Sequence, residues 1–207
     1  MKTAARTRAS PATQAAALPA SGKGRKRYEE ILDTAISLLI EEGYGAFSMR
    51  KIADRMGIRV SLVQYYFPSR GELLRALFER SLQRSIDRFA ATADGRTLKA
   101  MTTFVLNHQL APEESRLFWE LWALSAHDDA AAEAKERFYR GYRHEIGKVI
   151  APLRPDLPED EIARRATIVT VLLEGASVLR ADGSHTKPEL DRLDCSIVEA
   201  VNAIVRS

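Results

Sequence analysis

The chain has 207 residues, of which 45% are hydrophobic and 29% charged, the balance of an ordinary soluble globular protein. No apolar run reaches the ~18 residues that span a bilayer, and no secretory h-region of about 7–15 apolar residues opens the chain, so a cytoplasmic location is expected. Cys195 is the single cysteine, which excludes an intrachain disulfide. Its apolar helical surroundings predict a buried, inert thiol, with a redox sensor as the alternative.

The charge is distributed unevenly along the chain. Residues 1–27 carry seven basic side chains and no acidic ones, residues 28–92 carry nine of each sign, and the remainder is mildly acidic. A basic end on such a body suits a protein that presents one end to a polyanion. Residues 1–23 also have few bulky apolar side chains, which predicts a disordered basic arm. That arm is either a passive tail or an extra source of phosphate contacts.

The first predicted helix runs from Arg25 to Glu42, with an apolar face at helical spacing. Gly43 is expected to end it. A short second helix then follows Ser48 and stops at Gly57, a residue that can turn the chain with positive φ at no Cβ cost.

A third short helix is predicted to begin near Arg59 and to be stopped by Pro68. Its inward residues are expected to be Val60, Val63 and Phe67. Its outward residues are Arg59, Ser61, Leu62, Gln64, Tyr65 and Tyr66. Two short helices joined by a tight turn predict a helix-turn-helix, and the outward set can contact phosphates and base edges.

The rest of the sequence also has helical periodicity, without sustained period-2 alternation. Helix 4 is expected from Ser69, which opens a capping box with Glu72, to about Ala91. Later helices are predicted near residues 97–110, 113–126, 129–153 and 158–179, and from a capping box at Thr186 and Glu189 onward. The fold class is therefore all-α, with nine helices: a three-helix head at residues 24–70 and a helical body at residues 71–207. Helix 4 is expected to be the one element that touches both the DNA-binding site and the ligand-binding site.

A specific family resemblance rests on residues 25–75. The matching positions are Glu41 to Tyr44, Ser48, Ile52-Ala53, Gly57-Ile58, Tyr65-Tyr66-Phe67, Arg70 and Glu72-Leu73-Leu74. This block resembles the DNA-binding domain of TetR-family transcriptional regulators. The resemblance implies a DNA-binding head and a C-terminal body that holds a small-molecule inducer and forms a homodimer.

The resemblance also implies roles for single residues of the head. Ser48 matches a hydroxyl that caps helix 2 and contacts phosphate, and Arg70 matches a phosphate-binding lysine at the start of helix 4. Arg59 begins the recognition helix and either reads guanine or clamps a phosphate. Gln64 departs from the family pattern, which usually has a tyrosine there. The DNA-binding residues are predicted to be Ser48, Arg50, Arg59, Val60, Ser61, Leu62, Gln64, Tyr65, Tyr66 and Arg70.

Aromatic residues are concentrated in the body and are interleaved with polar groups. Such stripes are usually core, but apolar walls with a few polar groups are also what a small-molecule site needs. The predicted ligand-binding residues are Phe104, His108, Phe118, Trp122, His127 and Tyr142. The segment Phe118 to Trp122 resembles regulators with a BetI-type second domain.

The expected function is a DNA-binding transcriptional regulator, a repressor that a small molecule releases from a palindromic double-stranded operator. Two-fold symmetry of a homodimer underlies the palindrome. The predicted dimer-interface residues are Leu172, Leu173, Ala176, Leu179, Leu193, Ile197 and Val201. Some of these are expected to face the protomer's own core instead, and the sequence does not sort the two groups. No cofactor, metal or membrane partner is expected, since the four histidines lack a metal-binding spacing. The alternatives are an architectural DNA-binding protein without an effector and an enzyme of unrecognised type.

Overall fold

The computed structural model describes residues 22–92, 97–108, 112–179 and 192–207. This part of the chain forms nine α-helices and two short 3-10 helices, and contains no strand. The α-helices are α1 Gly22–Glu42, α2 Met49–Met56, α3 Val60–Tyr66, α4 Arg70–Ala90, α5 Leu98–His108, α6 Pro112–Ser125, α7 Asp129–Ile150, α8 Glu159–Leu179 and α9 Leu193–Arg206. The all-α prediction is confirmed. None of these helices combines the length and apolarity needed to cross a membrane.

The helix-turn-helix forms through the local signals that the sequence contains. Ser48 Oγ accepts a hydrogen bond from the Lys51 amide at 3.2 Å and so caps α2. Gly57 adopts the left-handed conformation, with φ 65° and ψ 31°, and turns the chain into α3. Ser69 Oγ caps α4 in the same way, accepting from the Glu72 amide at 3.1 Å.

Two features of the head differ from the sequence prediction. A 3-10 helix, Tyr44–Ala46, joins α1 to α2, and three residues are too few to show a periodicity. The first described helix begins at Gly22, so the segment predicted as a disordered arm overlaps its first turn. Residues 1–21 lie outside the described residues, as do the turn predicted at residues 94–95 and the capping box at Thr186.

The hydrophobic core of the head continues into the body. Phe67, with a fully buried side chain, packs against Tyr28 with ring centroids 4.7 Å apart. The same cluster includes Leu121 of α6 and Phe138 of α7. A second core lies between α5, α7, α8 and α9. The head therefore packs against α6 and α7 through apolar contacts. Because protein cores are close-packed, a displacement of either helix would also shift the residues of the head.

Helices α4 and α7 pack closely beside the middle of the body. A Cβ added at Gly141 of α7 would lie 2.6 Å from Leu82 Cδ2 of α4, so a larger residue there would require the Leu82 side chain to shift. This seam joins the helix that starts beside α3 to a long helix of the body.

For three side chains, the predicted burial or exposure to solvent is wrong. Val60 was expected inward but is 39% exposed, because the inward face of α3 is occupied by Val63 and Phe67. Cys195 was expected to be buried but is exposed, because α9 turns Ile197 and Val201 toward the core instead. Tyr66, which was expected outward, packs partly against the head core.

Candidate DNA-binding and ligand-binding sites

The candidate recognition surface is the outer face of α3 and the residue before it. Arg59, Ser61, Gln64 and Tyr65 are exposed there, and the Tyr65 side chain is 78% exposed. The Tyr65 ring meets the Tyr66 ring edge-on, with centroids 5.1 Å apart. The structure thus brings together on one face hydroxyl, amide, guanidinium and aromatic groups, which are the groups that contact DNA backbone and base edges.

Basic residues near this surface fall into two groups. Lys51 and Arg55 on α2 form ion pairs with Glu42 and Glu41 of α1, which tie them to the fold. Arg50 and Arg59 are exposed and make no ion pair with any residue in the described ranges. These two arginines are therefore better placed than Lys51 or Arg55 to meet a phosphate or a guanine.

Arg70 occupies a joint between the head and the body. Its Nη2 lies 3.2 Å from Asp128 Oδ2, and its guanidinium carbon lies 4.0 Å from the centre of the Tyr44 ring. Tyr44 Oη donates to the same Asp128 oxygen at 2.8 Å. The phosphate contact predicted for Arg70 stays a prediction, and the structure adds that Arg70 already has an acidic partner.

The joint also involves α6, because the Tyr44 amide donates to Glu120 Oε2 at 3.0 Å. Asp128 caps α7 by accepting from the Ala131 amide at 3.0 Å. Helix α4 is therefore not the only element that joins head and body. The C-terminal half of α6 and the start of α7 reach the head through Glu120 and Asp128, whose partners lie far away in the sequence.

A cavity of about 80 Å³ lies inside the body and is bordered by five helices. Its lining residues are Leu82 and Ser85 of α4, Phe104, Val105 and His108 of α5, Phe118, Trp119 and Trp122 of α6, Phe138 and Tyr142 of α7, and Glu174 and Ser177 of α8. A second cavity of about 70 Å³ shares five of these residues, including Leu82, Val105 and Tyr142. The walls are mostly aromatic and apolar, as in sites for small organic molecules.

The structure places five of the six predicted ligand-binding residues at this cavity: Phe104, His108, Phe118, Trp122 and Tyr142. His127 is instead exposed at the turn between α6 and α7, close to the joint, and is not a lining residue. Sequence reasoning missed Glu174, although a single acidic residue inside the apolar stretch of α8 was a usable signal.

Glu174 belongs to a partly buried polar cluster at the cavity. Trp122 Nε1 donates to Tyr139 Oη at 2.6 Å, and Tyr139 Oη donates to Glu174 Oε2 at 3.0 Å. Burial raises the pKa of the Glu174 carboxyl to about 7, against a smaller opposing effect of the Tyr139 hydrogen bond. Burial also raises the pKa values of Tyr139 and Tyr142, so both phenols stay protonated at neutral pH.

The raised pKa of Glu174 predicts a specific dependence of stability on pH. The unfolded chain releases this proton near the ordinary glutamate pKa of 4.5 and the folded chain near 7, so the folded state binds more protons between these pH values. The free energy of unfolding should therefore fall as pH rises from 4.5 through 7, by up to about 3 kcal/mol from this group. Glu174→Gln should lack that component. Urea unfolding of both proteins at pH 5 and pH 8 measures it, and equal pH dependence would contradict it.

Most of the predicted dimer-interface residues lie in the protomer's own core. The second core, where α8 packs against α5, α7 and α9, buries Leu173 and Ala176 of α8 and Ile197 and Val201 of α9. Leu172 and Leu193 are half-buried against the same core, and Leu179 is exposed. The predicted set is therefore revised. The exposed large apolar side chains of α8 are Val171, Val178 and Leu179.

Within the described ranges, no three histidine, cysteine or acidic side chains come together in a group that could hold a metal ion.

The comparisons with known proteins match both halves of the chain. Residues 31–77 match the family model of bacterial regulatory proteins, tetR family, and residues 95–194 match the model of the BetI-type transcriptional repressor C-terminal domain. An HTH-type transcriptional regulator from the dhlA 5' region of Xanthobacter autotrophicus, itself uncharacterised, is 32% identical over 164 residues. The match covers 75% of this chain and 80% of that protein.

One further match covers a part of the chain, and another is a match of the fold. The HTH-type transcriptional repressor KstR of Mycobacterium tuberculosis is 34% identical over 80 residues, 39% of this chain and 34% of that one. A transcriptional regulator from Saccharomonospora viridis, solved in complex with choline, has the same fold. Its TM-score is 0.60 at 18% identity, and the match covers 87% of this chain and 96% of that one. The chain therefore belongs to the tetR family of bacterial regulatory proteins and is a DNA-binding transcriptional regulator.

Proposed function

We propose that this regulator is a repressor that binds a palindromic operator as a homodimer and is released by a small molecule held in the cavity of the body. The observation that carries the proposal is the position of the cavity. Leu82 and Ser85 of α4 line it, and α4 begins at Arg70, directly after the segment that ends α3. A ligand that changes the position of α4 would also change the position of the recognition helix.

The comparisons support the proposal in two respects. KstR, which matches 80 residues of this chain, is named a repressor, and the S. viridis regulator of the same fold holds choline, a small organic molecule. The cavity also favours an effector-responsive regulator over an architectural DNA-binding protein, which would have no use for one.

Transmission from the cavity would use two routes to the head. One is the close seam of α4 with α7, where Gly141 meets Leu82 at the cavity wall. The other is the joint, where Glu120 of α6 and Asp128 hold Tyr44. A ligand can shift DNA affinity only by binding the two conformations unequally, and these contacts differ between conformations if the helices move.

The homodimer would form through the exposed apolar stripe of α8, defined as Val171, Gly175 and Val178. These residues recur at spacings of four and three, so they lie on one face, and all three are exposed in the protomer. A glycine within the stripe allows a close approach of the symmetry-related helix. Apolar side chains exposed together on one helix face indicate a protein interface.

Genome-wide mapping of the DNA bound by the protein tests the proposed function. We expect a short, nearly palindromic motif whose half-sites lie about one helical turn, or a multiple of it, apart. Binding spread over the genome without such a motif would favour the architectural alternative.

Arg70 supplies a sharper test within the head. If each protomer places Arg70 on a phosphate, Arg70→Ala should reduce the slope of log affinity against log salt by about one unit per protomer. The loss should be the same for operator and random DNA. Arg206→Ala, which removes an exposed arginine from α9, is the matched control and should leave the slope unchanged. An unchanged slope for Arg70→Ala would assign this residue to the joint alone.

A further inference from the structure

We infer that the effector is a protonated amine with at least one N–H, whose nitrogen binds Glu174 and the Tyr142 hydroxyl while its apolar part fills the aromatic cavity. The inference rests on the proposed function, because it names the chemistry of the ligand that the cavity would take.

The carboxyl group of Glu174 has no balancing positive charge among the described residues. Glu174 lines the cavity and accepts a hydrogen bond from Tyr139, but it has no ion pair with a basic residue in the described part of the chain. A buried carboxylate without a cation is costly, which the raised pKa of Glu174 expresses. A ligand cation at this point would supply the missing charge.

The Tyr142 hydroxyl is a second polar group beside the cavity. It is fully buried and finds no hydrogen-bond partner among the described residues, although Tyr142 also lines the cavity. The neighbouring Tyr139 hydroxyl makes its hydrogen bonds to Trp122 and Glu174 and none to Tyr142. An unpaired buried hydroxyl beside a cavity is satisfied when a ligand provides the partner.

The walls of the cavity are mainly aromatic. Six aromatic side chains border the cavity, and a ring face attracts a nearby cation. They are Phe104, Phe118, Trp119, Trp122, Phe138 and Tyr142. The acidic lining residue, Glu174, lies on α8, so its charge directs an amine toward that helix.

The N–H requirement follows from hydrogen bonding. An ammonium N–H can donate to Glu174 and to Tyr142, whereas a quaternary ammonium group donates to neither and leaves the Tyr142 hydroxyl unpaired. The size of the site limits the apolar part. The two adjoining cavities of about 80 and 70 Å³ together approach the ~150 Å³ of an engineered cavity that holds benzene. Benzylamine therefore represents the expected class.

Tryptophan fluorescence of the full-length protein, titrated with four small molecules, tests the inference, because Trp119 and Trp122 lie in the wall. The probes are benzylamine, benzyl alcohol, benzyltrimethylammonium and benzoate. We expect benzylamine to bind roughly 10- to 100-fold more tightly than each of the other three. Its affinity should rise between pH 6 and pH 8 as Glu174 ionises while the amine stays protonated.

Two variants locate the binding group. Glu174→Gln should weaken benzylamine binding roughly 10- to 100-fold and leave benzyl alcohol binding unchanged. Tyr142→Phe, which changes only the hydroxyl, should weaken benzylamine binding to a smaller extent and keeps the test valid if Glu174→Gln fails to fold. The inference is overturned if benzylamine does not bind at millimolar concentration, if neither variant weakens it, or if the alcohol or the quaternary compound binds equally well.

Operator binding, measured alongside, separates this inference from the proposed function. Benzylamine that binds through Glu174 without changing operator affinity supports the site chemistry and contradicts the effector mechanism. A neutral ligand that occupies the cavity and releases DNA supports the mechanism and overturns the amine.

Discussion

Replacing both Val171 and Val178 by glutamate should give a folded monomer that binds its operator roughly 10²- to 10⁴-fold more weakly, the range by which a linked second site raises avidity. The two side chains are 66% and 52% exposed in the protomer, so the change creates no cavity and buries no charge within it. In a homodimer the same carboxylates would face each other across a symmetric contact and be desolvated. Analytical ultracentrifugation and operator titration measure the two effects.

The matched comparison is Leu173→Glu, two residues after Val171 and on the buried face of the same helix. Leu173 is fully buried in the second core, so this variant should unfold instead of dissociating. A double variant at Val171 and Val178 that remains dimeric would place the interface elsewhere.

A small molecule bound in the cavity should lower operator affinity by about 5- to 150-fold, the usual range of allosteric coupling. Val105→Phe should abolish that response without weakening operator binding, because Val105 of α5 lines both cavities and a larger ring would occupy the ligand space. Thr103→Phe is the matched control, since Thr103 lies on the same helix but is exposed. Operator titrations with and without ligand on all three proteins show the result. A full response in Val105→Phe would mean that the ligand binds outside this cavity.

The head could be predicted closely because its signals are local. The hydroxyls of Ser48 and Ser69 cap the helices that follow them, and Gly57 takes the positive φ that a helix-turn-helix needs. Phe67 was expected in the core and is fully buried. Each of these decisions depends on a few neighbouring residues, so the sequence alone contains them.

The facing of α8 could not be predicted, for a physical reason. Apolar residues occur all around this helix, so periodicity does not say whether Leu173 or Val171 turns inward. The same ambiguity hid Glu174, since a lone carboxylate in an apolar helix is normally placed toward water. Its burial depends on Tyr139 and Trp122, which come from two other helices.

The joint between the head and the body could not be predicted from the sequence either. Arg70 occupies a position that matches a phosphate contact in the family, and its pairing with Asp128 spans 58 residues of chain. His127 was assigned to the ligand site because it lies near the aromatic stripe, but the turn after α6 carries it to the surface. Contacts made across the fold decide such roles.

The most direct test of the account is a reciprocal titration of one ligand, found by tryptophan quenching, and the operator. Operator affinity is measured with and without the ligand, and ligand affinity is measured with and without the operator, at one salt concentration. Because the two sites are coupled through one equilibrium, the account predicts that each lowers the affinity of the other by the same factor, about 5- to 150-fold. A ligand that occupies the cavity with equal affinity whether or not DNA is bound would contradict it.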